Sequence, residues 1–227
     1  MLFGELTPAT FLGRPNRFLG IVKVAGAEVE CFVPNPGRMK ELLFIGASVY
    51  LRWIPAGDRK TRFDLALVDL DGALVSVDSR VPNAVVAESV EASLLPEFRG
   101  LRVERREPRY GDSRFDLLLS GSESRLMLEV KGCTLVDERT ALFPDAPTER
   151  GARHLRTLSL AKAEGRSAIV FLIQRGDADR LEPNRATDPG FAAGLAEASL
   201  KGVEAYAYTS NVTLEGISIN RRVPVKI

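Results

Sequence analysis

The chain has 227 residues, 45% of them hydrophobic and 27% charged. That composition excludes a disordered chain, and the length allows one large domain or two small ones. Thirty-one Lys and Arg against 30 Asp and Glu leave a net charge of +1. Attachment to nucleic acid by bulk charge is thereby excluded, and only a local basic patch is left for that role.

Cys31 and Cys133 have no CxxC spacing, which excludes a disulfide scaffold and a four-cysteine zinc site. They read as small core residues. His154 is the only histidine. A three-histidine zinc site is therefore excluded, and a bound metal would be a hard ion such as Mg²⁺ on oxygen ligands. No apolar run approaches the roughly 20 residues of a membrane span. The start has no basic n-region. The expectation is a cytoplasmic soluble protein with no membrane partner.

Residues 1–80 read as a small OB-like β-barrel that binds nucleic acid. Its strands are expected at 18–24, 29–33, 49–54, 63–68 and 73–77, with a hairpin turn at Asp71-Gly72. Residues 1–62 hold nine cations against five acids, and 63–80 hold one against four. Val33-Pro-Asn-Pro-Gly-Arg-Met39 is a rigid turn that carries Asn35 and Arg38, with Lys40 behind it and Arg14, Arg17 and Phe18 upstream. Arginines beside aromatics on a barrel suit nucleic acid, and a purely structural loop fits equally well.

Residues 81–227 read as an α/β domain with a mixed sheet. A helix capped by Asn83 is expected to reach about residue 98, followed by strands near 102–107, 114–120 and 125–131. A second helix runs from about Thr148 to Gly165, and a buried strand follows at 168–174. Asp188-Pro189 opens a third helix that stops near Gly202, and strand 203–208 and the tail complete the sheet. Six arginines and three acids in 99–114 suit either a phosphate backbone or a solvated strand.

Two carboxylates look wrong for structure alone. In Leu126-Met-Leu-Glu-Val-Lys-Gly132, Glu129 and Lys131 share one strand face with Met127, opposite Leu126, Leu128 and Val130. Asp116 lies in the apolar Phe115-Asp-Leu-Leu-Leu119. Hairpin pairing of these strands would bring Asp116 to Glu129, where a divalent cation would relieve their repulsion. Acid-x-Lys triplets are also common as ordinary ion pairs. On the preceding helix Glu88 lies opposite the stripe of Val86, Val90 and Leu94, as a solvated residue would. Arg150, His154 and Thr157 share a face of the second helix, which suits a phosphate or a plain polar surface.

Arg14-Pro-Asn-Arg-Phe-Leu19, Pro34-Asn-Pro-Gly-Arg-Met39, Ser113-Arg-Phe-Asp116, Leu128-Glu-Val-Lys131, Phe143-Pro-Asp-Ala-Pro-Thr-Glu-Arg-Gly151 and His154-Leu-Arg156 together resemble the sugar fermentation stimulation protein A family over essentially the whole chain. The resemblance implies an OB-like domain, a domain related to PD-(D/E)XK nucleases, and DNA as the partner. It carries Asp116, Glu129 and Lys131 onto the nuclease positions, with Glu88 as the helix acid. Arg-Phe precedes Asp116 where the wider nuclease motif often has Pro.

On that basis Asp116 and Glu129, with the Val130 carbonyl, would hold Mg²⁺ or Mn²⁺, and Glu88 would hold a second ion or its water. Lys131 would orient the attacking water. Arg150 and His154 would contact phosphate, and Arg14, Arg17, Asn35, Arg38 and Lys40 would place DNA from the barrel side. The alternative is a non-catalytic DNA-binding regulator that keeps the nuclease fold as a scaffold. The family name describes a phenotype, stimulation of sugar fermentation genes, and no chemistry. A sugar-binding or metabolic protein finds no support: there is no Gly-rich nucleotide loop, and Trp53 is the only tryptophan. Engagement of duplex DNA would suit a homodimer.

Overall fold

The computed structural model describes residues 1–55, 59–122 and 124–227. Its first strand, β1 (Leu6–Asn16), was not anticipated, because Pro8, Gly13 and Pro15 argue against a strand. The reason it forms is that its two ends serve different neighbours. Residues 6–10 pair with β4 (Ser48–Trp53), and from Thr10 onward the strand pairs with β2 (Leu19–Val24) across two irregularities. β2 pairs with β3 (Ala27–Phe32), and β4 pairs with β5 (Phe63–Leu70). A parallel contact between Phe32 and Asp64 joins β3 to β5 and closes a five-stranded barrel. β6 (Ala73–Ser76) continues the sheet beyond β5. The hairpin turn lies where it was expected, with Asp71 and Gly72 both at positive φ. Phe11, Val22, Cys31, Val49, Leu51, Leu65 and Val68 fill the barrel.

The second part begins with α1 (Val81–Glu91) and a 3-10 turn (Pro96–Phe98). Then come β7 (Arg102–Arg106), β8 (Arg109–Tyr110), β9 (Ser113–Arg114), β10 (Leu117–Ser120), β11 (Arg125–Cys133), β12 (Val136–Asp137) and β13 (Thr140–Phe143). α2 (Glu149–Ala161), β14 (Arg166–Ile173), β15 (Arg180–Pro183), α3 (Pro189–Leu200), β16 (Glu204–Val212) and β17 (Ile217–Val223) follow. The main sheet runs β17-β16-β14-β11-β10-β7, with β11, β14 and β16 parallel and the flanking pairs antiparallel. β14 is buried on both faces, as its unbroken apolar run requires. α1 packs on one face, against Leu126, Leu128, Val130, Val170 and Leu172. α2 and α3 pack on the other, against Ile169, Phe171 and Ile173.

Several local expectations need correction. Asn83 does not cap α1. Arg80 is the N-cap residue, without a side-chain cap bond, and the helix ends at Glu91 rather than near residue 98. Asp116 lies in a bend just before β10. The helix-end glycine, Gly165, has an extended φ of 164° rather than a left-handed one; a side chain there would press on the Arg125 carbonyl. β12, β13 and β15 form a small separate sheet that their short, irregular sequences did not announce. Asp188 and Thr148 do cap their helices, accepting from Phe191 N and Gly151 N.

Barrel and sheet share one apolar core. Ala66 and Leu67 of β5 are buried against Val81, Val85 and Val86 of α1, and Phe3 joins the same cluster. Ser76 N donates to the Gln174 carbonyl, and Gln174 Nε2 donates to Ser76 Oγ and the Asp78 carbonyl. Asp64 and Asp78 are almost wholly buried at this junction, and Arg80 donates to both at 2.6 Å. Burial works to raise the Asp64 carboxyl, but the bonds from Arg80 and Arg59 outweigh it and hold the group below its ordinary value.

Candidate nuclease-type site

β10 and β11 pair with Leu117 opposite Leu128, so the next step of the ladder sets Asp116 against Glu129. Asp116 N donates to the Leu128 carbonyl at 3.2 Å, and Asp116 Oδ2 accepts from Val130 N at 2.7 Å. Asp116 Oδ1 accepts from Asn83 Nδ2 at 2.6 Å. Asn83 reaches this point because α1 starts directly over β11. Gly132 makes that approach feasible, since a side chain there would collide with Pro82 and Gln174. Burial, and then the neighbouring Glu129 charge, push the Asp116 carboxyl up to about 6.

Glu129 points to the opposite sheet face from Leu128 and Val130, into the α2 side, and is 2% exposed. Its Oε1 lies 2.5 Å from His154 Nδ1 and 2.5 Å from Lys131 Nζ. Burial would raise the Glu129 carboxyl, but the bonds from His154 and Lys131 more than offset it and keep the group below its ordinary value. Arg150 Nε donates to His154 Nε2 at 3.4 Å, and the Phe115 ring packs edge-on against the imidazole. A neutral imidazole with its proton on Nδ1 satisfies both bonds.

Glu129 Oε2 is buried and has no hydrogen-bond partner among the described residues. An orphaned carboxylate oxygen beside a second, destabilised carboxylate is the donor set a hard divalent cation would complete. Val130 turns its N–H toward Asp116, and in an extended strand its carbonyl lies along the same edge. Among the described residues no group of three or more His, Cys, Asp or Glu side chains is arranged to hold an ion. A cation here would therefore take the two carboxylates and fill its shell with carbonyl and water oxygens, as Mg²⁺ does.

The expected helix acid does not join this group. Glu88 is 56% exposed and pairs with the terminal ammonium of Met1 at 2.9 Å. α1 lies across the sheet from Glu129, so only its first turn, through Asn83, reaches the carboxylates.

Val130 and Lys131, next to Glu129 on β11, line a cleft of about 1010 Å³ between the barrel and the sheet. Arg17, Arg38 and Lys40 line the barrel wall, and Lys131 and Arg150 line the other. Arg38, Lys40 and Arg150 are exposed. Arg14 lines the cleft but is otherwise engaged. Its guanidinium donates to the carbonyls of Arg17, Asn35, Gly37 and Arg38 at 2.6–2.9 Å, so it shapes the loop instead of offering a free charge. Asn35 is used in the same way, accepting from Gly37 N and donating to the Val77 carbonyl. Asp145 Oδ2 accepts from Arg38 N and so ties the two walls together. His154 is 2% exposed and buried beneath Arg150, which rules out the phosphate contact expected of it.

Residues 12–77 match a family model described as the SfsA N-terminal OB domain, and residues 80–216 match one described as the sugar fermentation stimulation protein RE domain. A sugar fermentation stimulation protein homolog of Moorella thermoacetica is 46% identical over 98% of this chain and 97% of its own length. One of Desulforamulus reducens is 44% identical over 98% and 93%. The structure of Pyrococcus furiosus SfsA in complex with Ca²⁺ superposes with a TM-score of 0.93 at 33% identity, covering 100% of this chain and 98% of that one. No helix of this chain is long and apolar enough to cross a membrane among the described residues. With both domains matched and curated relatives aligned along nearly its whole length, the chain belongs to the sugar fermentation stimulation protein (SfsA) family.

Proposed function

We propose that the chain binds DNA in the cleft between barrel and sheet and hydrolyses a phosphodiester bond at Asp116 and Glu129 with Mg²⁺ or Mn²⁺. The observation that carries this reading is the buried Oε2 of Glu129, unpartnered among the described residues and beside Asp116, on the strand whose next residues, Val130 and Lys131, line a cleft that also holds Arg17, Arg38, Lys40 and Arg150. The Ca²⁺ named with the Pyrococcus furiosus relative supports a hard divalent ion. When bound, the ion would supply Lewis-acid polarisation of the phosphate and a water of lowered pKa. Asp116 and Glu129, with the Val130 carbonyl, would hold it.

The other residues do work of their own. His154 holds Glu129 in one rotamer and keeps it ionised. Asn83 and Val130 N fix Asp116. Lys131 lies within reach of Glu129 and lines the cleft, where it can stabilise developing charge on a phosphate. Arg17, Arg38, Lys40 and Arg150 neutralise the backbone on either side.

The test is a matched pair, wild type and Glu129→Ala. Cleavage of single- and double-stranded DNA is followed with Mg²⁺ or Mn²⁺, and binding of the same DNA is measured in EDTA. Metal-dependent cleavage lost in the variant with binding kept is the expected result. Binding without cleavage in either protein would leave the second reading, a DNA-binding regulator in which Lys131 neutralises Glu129 and His154 hydrogen-bonds it without any metal.

A further inference from the structure

A second groove, of about 770 Å³, lies on the barrel and meets the cleft at Asn16, which lines both. Between them rises the β1–β2 turn. Arg17 faces the cleft side of this ridge, and Phe18 faces the groove. Phe18 is 43% exposed, although it is a large apolar ring at the tip of a turn. The turn is held by a bond from Phe18 N to Asn16 Oδ1. The ring stacks on Phe32 of β3 with centroids 6.0 Å apart and planes 17° from parallel. The guanidinium of Arg17 lies over Phe18 at 6.0 Å, and that of Arg59 over Phe32 at 5.2 Å. Two rings are thus bracketed by two guanidinium groups along one line of the barrel wall.

The charged residues of the groove lining are mainly cations. Arg59, Lys60 and Arg80 stand against one acid, Glu30, with Asp64 bound beneath by Arg59 and Arg80. Lys60 and Arg17 form no side-chain ion pair among the described residues. An exposed aromatic stack flanked by cations does not suit a duplex, whose base faces are covered by their neighbours. It suits unpaired bases, whose faces stack on rings while their phosphates follow the cations.

We infer that the Phe18–Phe32 pair is a stacking platform for single-stranded DNA, and that the strand passes over Arg17 into the cleft toward Lys131. Part of the inference, the entry into the cleft, rests on the function proposed above; the platform itself does not. It makes the substrate a single strand or the unpaired end of a duplex.

The test is fluorescence anisotropy in EDTA, with the full chain, using labelled oligo(dT) and a duplex of the same length. Wild type is expected to bind oligo(dT) more tightly than the duplex. Phe18→Ala should weaken oligo(dT) binding roughly tenfold and leave duplex binding unchanged, and Phe18→Tyr should restore it. Because the ring is half exposed, folding of both variants is checked by thermal unfolding. Unchanged oligo(dT) binding in folded Phe18→Ala, or an equal loss for duplex, would overturn the platform. Tighter binding of oligo(rU) than oligo(dT) would overturn DNA as its occupant. Cleavage reports separately on the carboxylate site. A platform effect without metal-dependent cleavage by wild type keeps the platform and removes the hydrolase. Cleavage with no Phe18 effect does the reverse.

Discussion

His154 Nδ1 and Glu129 Oε1 are 2.5 Å apart, and both side chains are almost wholly buried. The only histidine of the chain thus orients a carboxylate, and under the proposed function the phosphate contacts fall to surface cations. Removing it leaves Glu129 with Lys131 alone in a site where burial opposes ionisation. His154→Ala is expected to cost about 2–4 kcal/mol in urea unfolding. It should also move the acidic limb of the cleavage pH profile upward, because the Glu129 carboxyl then rises. An unmoved limb would mean that the contact has no part in the chemistry.

Under the proposed function, Asp116 would make metal binding depend on pH. Its folded value of about 6 lies above the ordinary 3.8, so its contribution to stability is fully present below about 3.8 and is lost as pH rises through 6. A divalent cation binds the ionised form. Excess Mg²⁺ or Mn²⁺ is therefore expected to raise Tm by roughly 5 °C at about pH 8, and by much less at about pH 5. Glu129→Gln should abolish the gain. Thermal scans with and without EDTA check this, and a gain independent of pH would count against Asp116 as a ligand.

The cleft cations can be counted by salt. Arg38→Glu and Lys40→Glu are each expected to lower DNA affinity and to reduce the slope of log K against log salt by about one. Arg14→Lys should act differently. It would release the carbonyls of Arg17, Asn35, Gly37 and Arg38 and loosen the loop, lowering Tm before it alters the slope.

Gly132→Ala tests the placement of α1. The added methyl would press on Pro82 and Gln174, moving Asn83 away from Asp116 while every site carboxylate stays in the sequence. A loss of about 1–3 kcal/mol together with reduced metal affinity is expected from denaturant titration and a metal-dependent Tm. Normal metal affinity would show that Asn83 does not position Asp116.

The carboxylates were legible because charge is costly in an apolar strand, and the two-residue periodicity of Glu129 and Lys131 gave their shared face. The consecutive β10 and β11 then carried Asp116 to Glu129. What stayed hidden depended on distant contacts. His154 and Arg14 carry polar groups that suit phosphate, and only the fold shows that one faces Glu129 and the other faces carbonyls. Asn83 had the right residue type for a cap, and its partner 33 residues away carried no local signal. Glu88 was placed by family resemblance against its own helical pattern, and the pattern, which set it opposite the apolar stripe, agrees with its exposed position. β1 escaped notice because prolines argue against a strand, and only the fold shows that Pro8 lies where β1 has β4 alone as a neighbour and Pro15 in an irregularity of the β1–β2 pairing.

The apolar contact of Ala66 and Leu67 with α1 has a consequence for dissection of this protein. Cut after residue 80, the barrel would present that patch, with Tyr50 and Leu74 beside it, to water, and α1 would lose part of its cover. Each half would gain a sticky surface and lose the bonds that join Gln174 to Ser76 and Asp78. Barrel and sheet are thus expected to melt in one cooperative transition, and the recombinant halves to aggregate alone and recover only when refolded together.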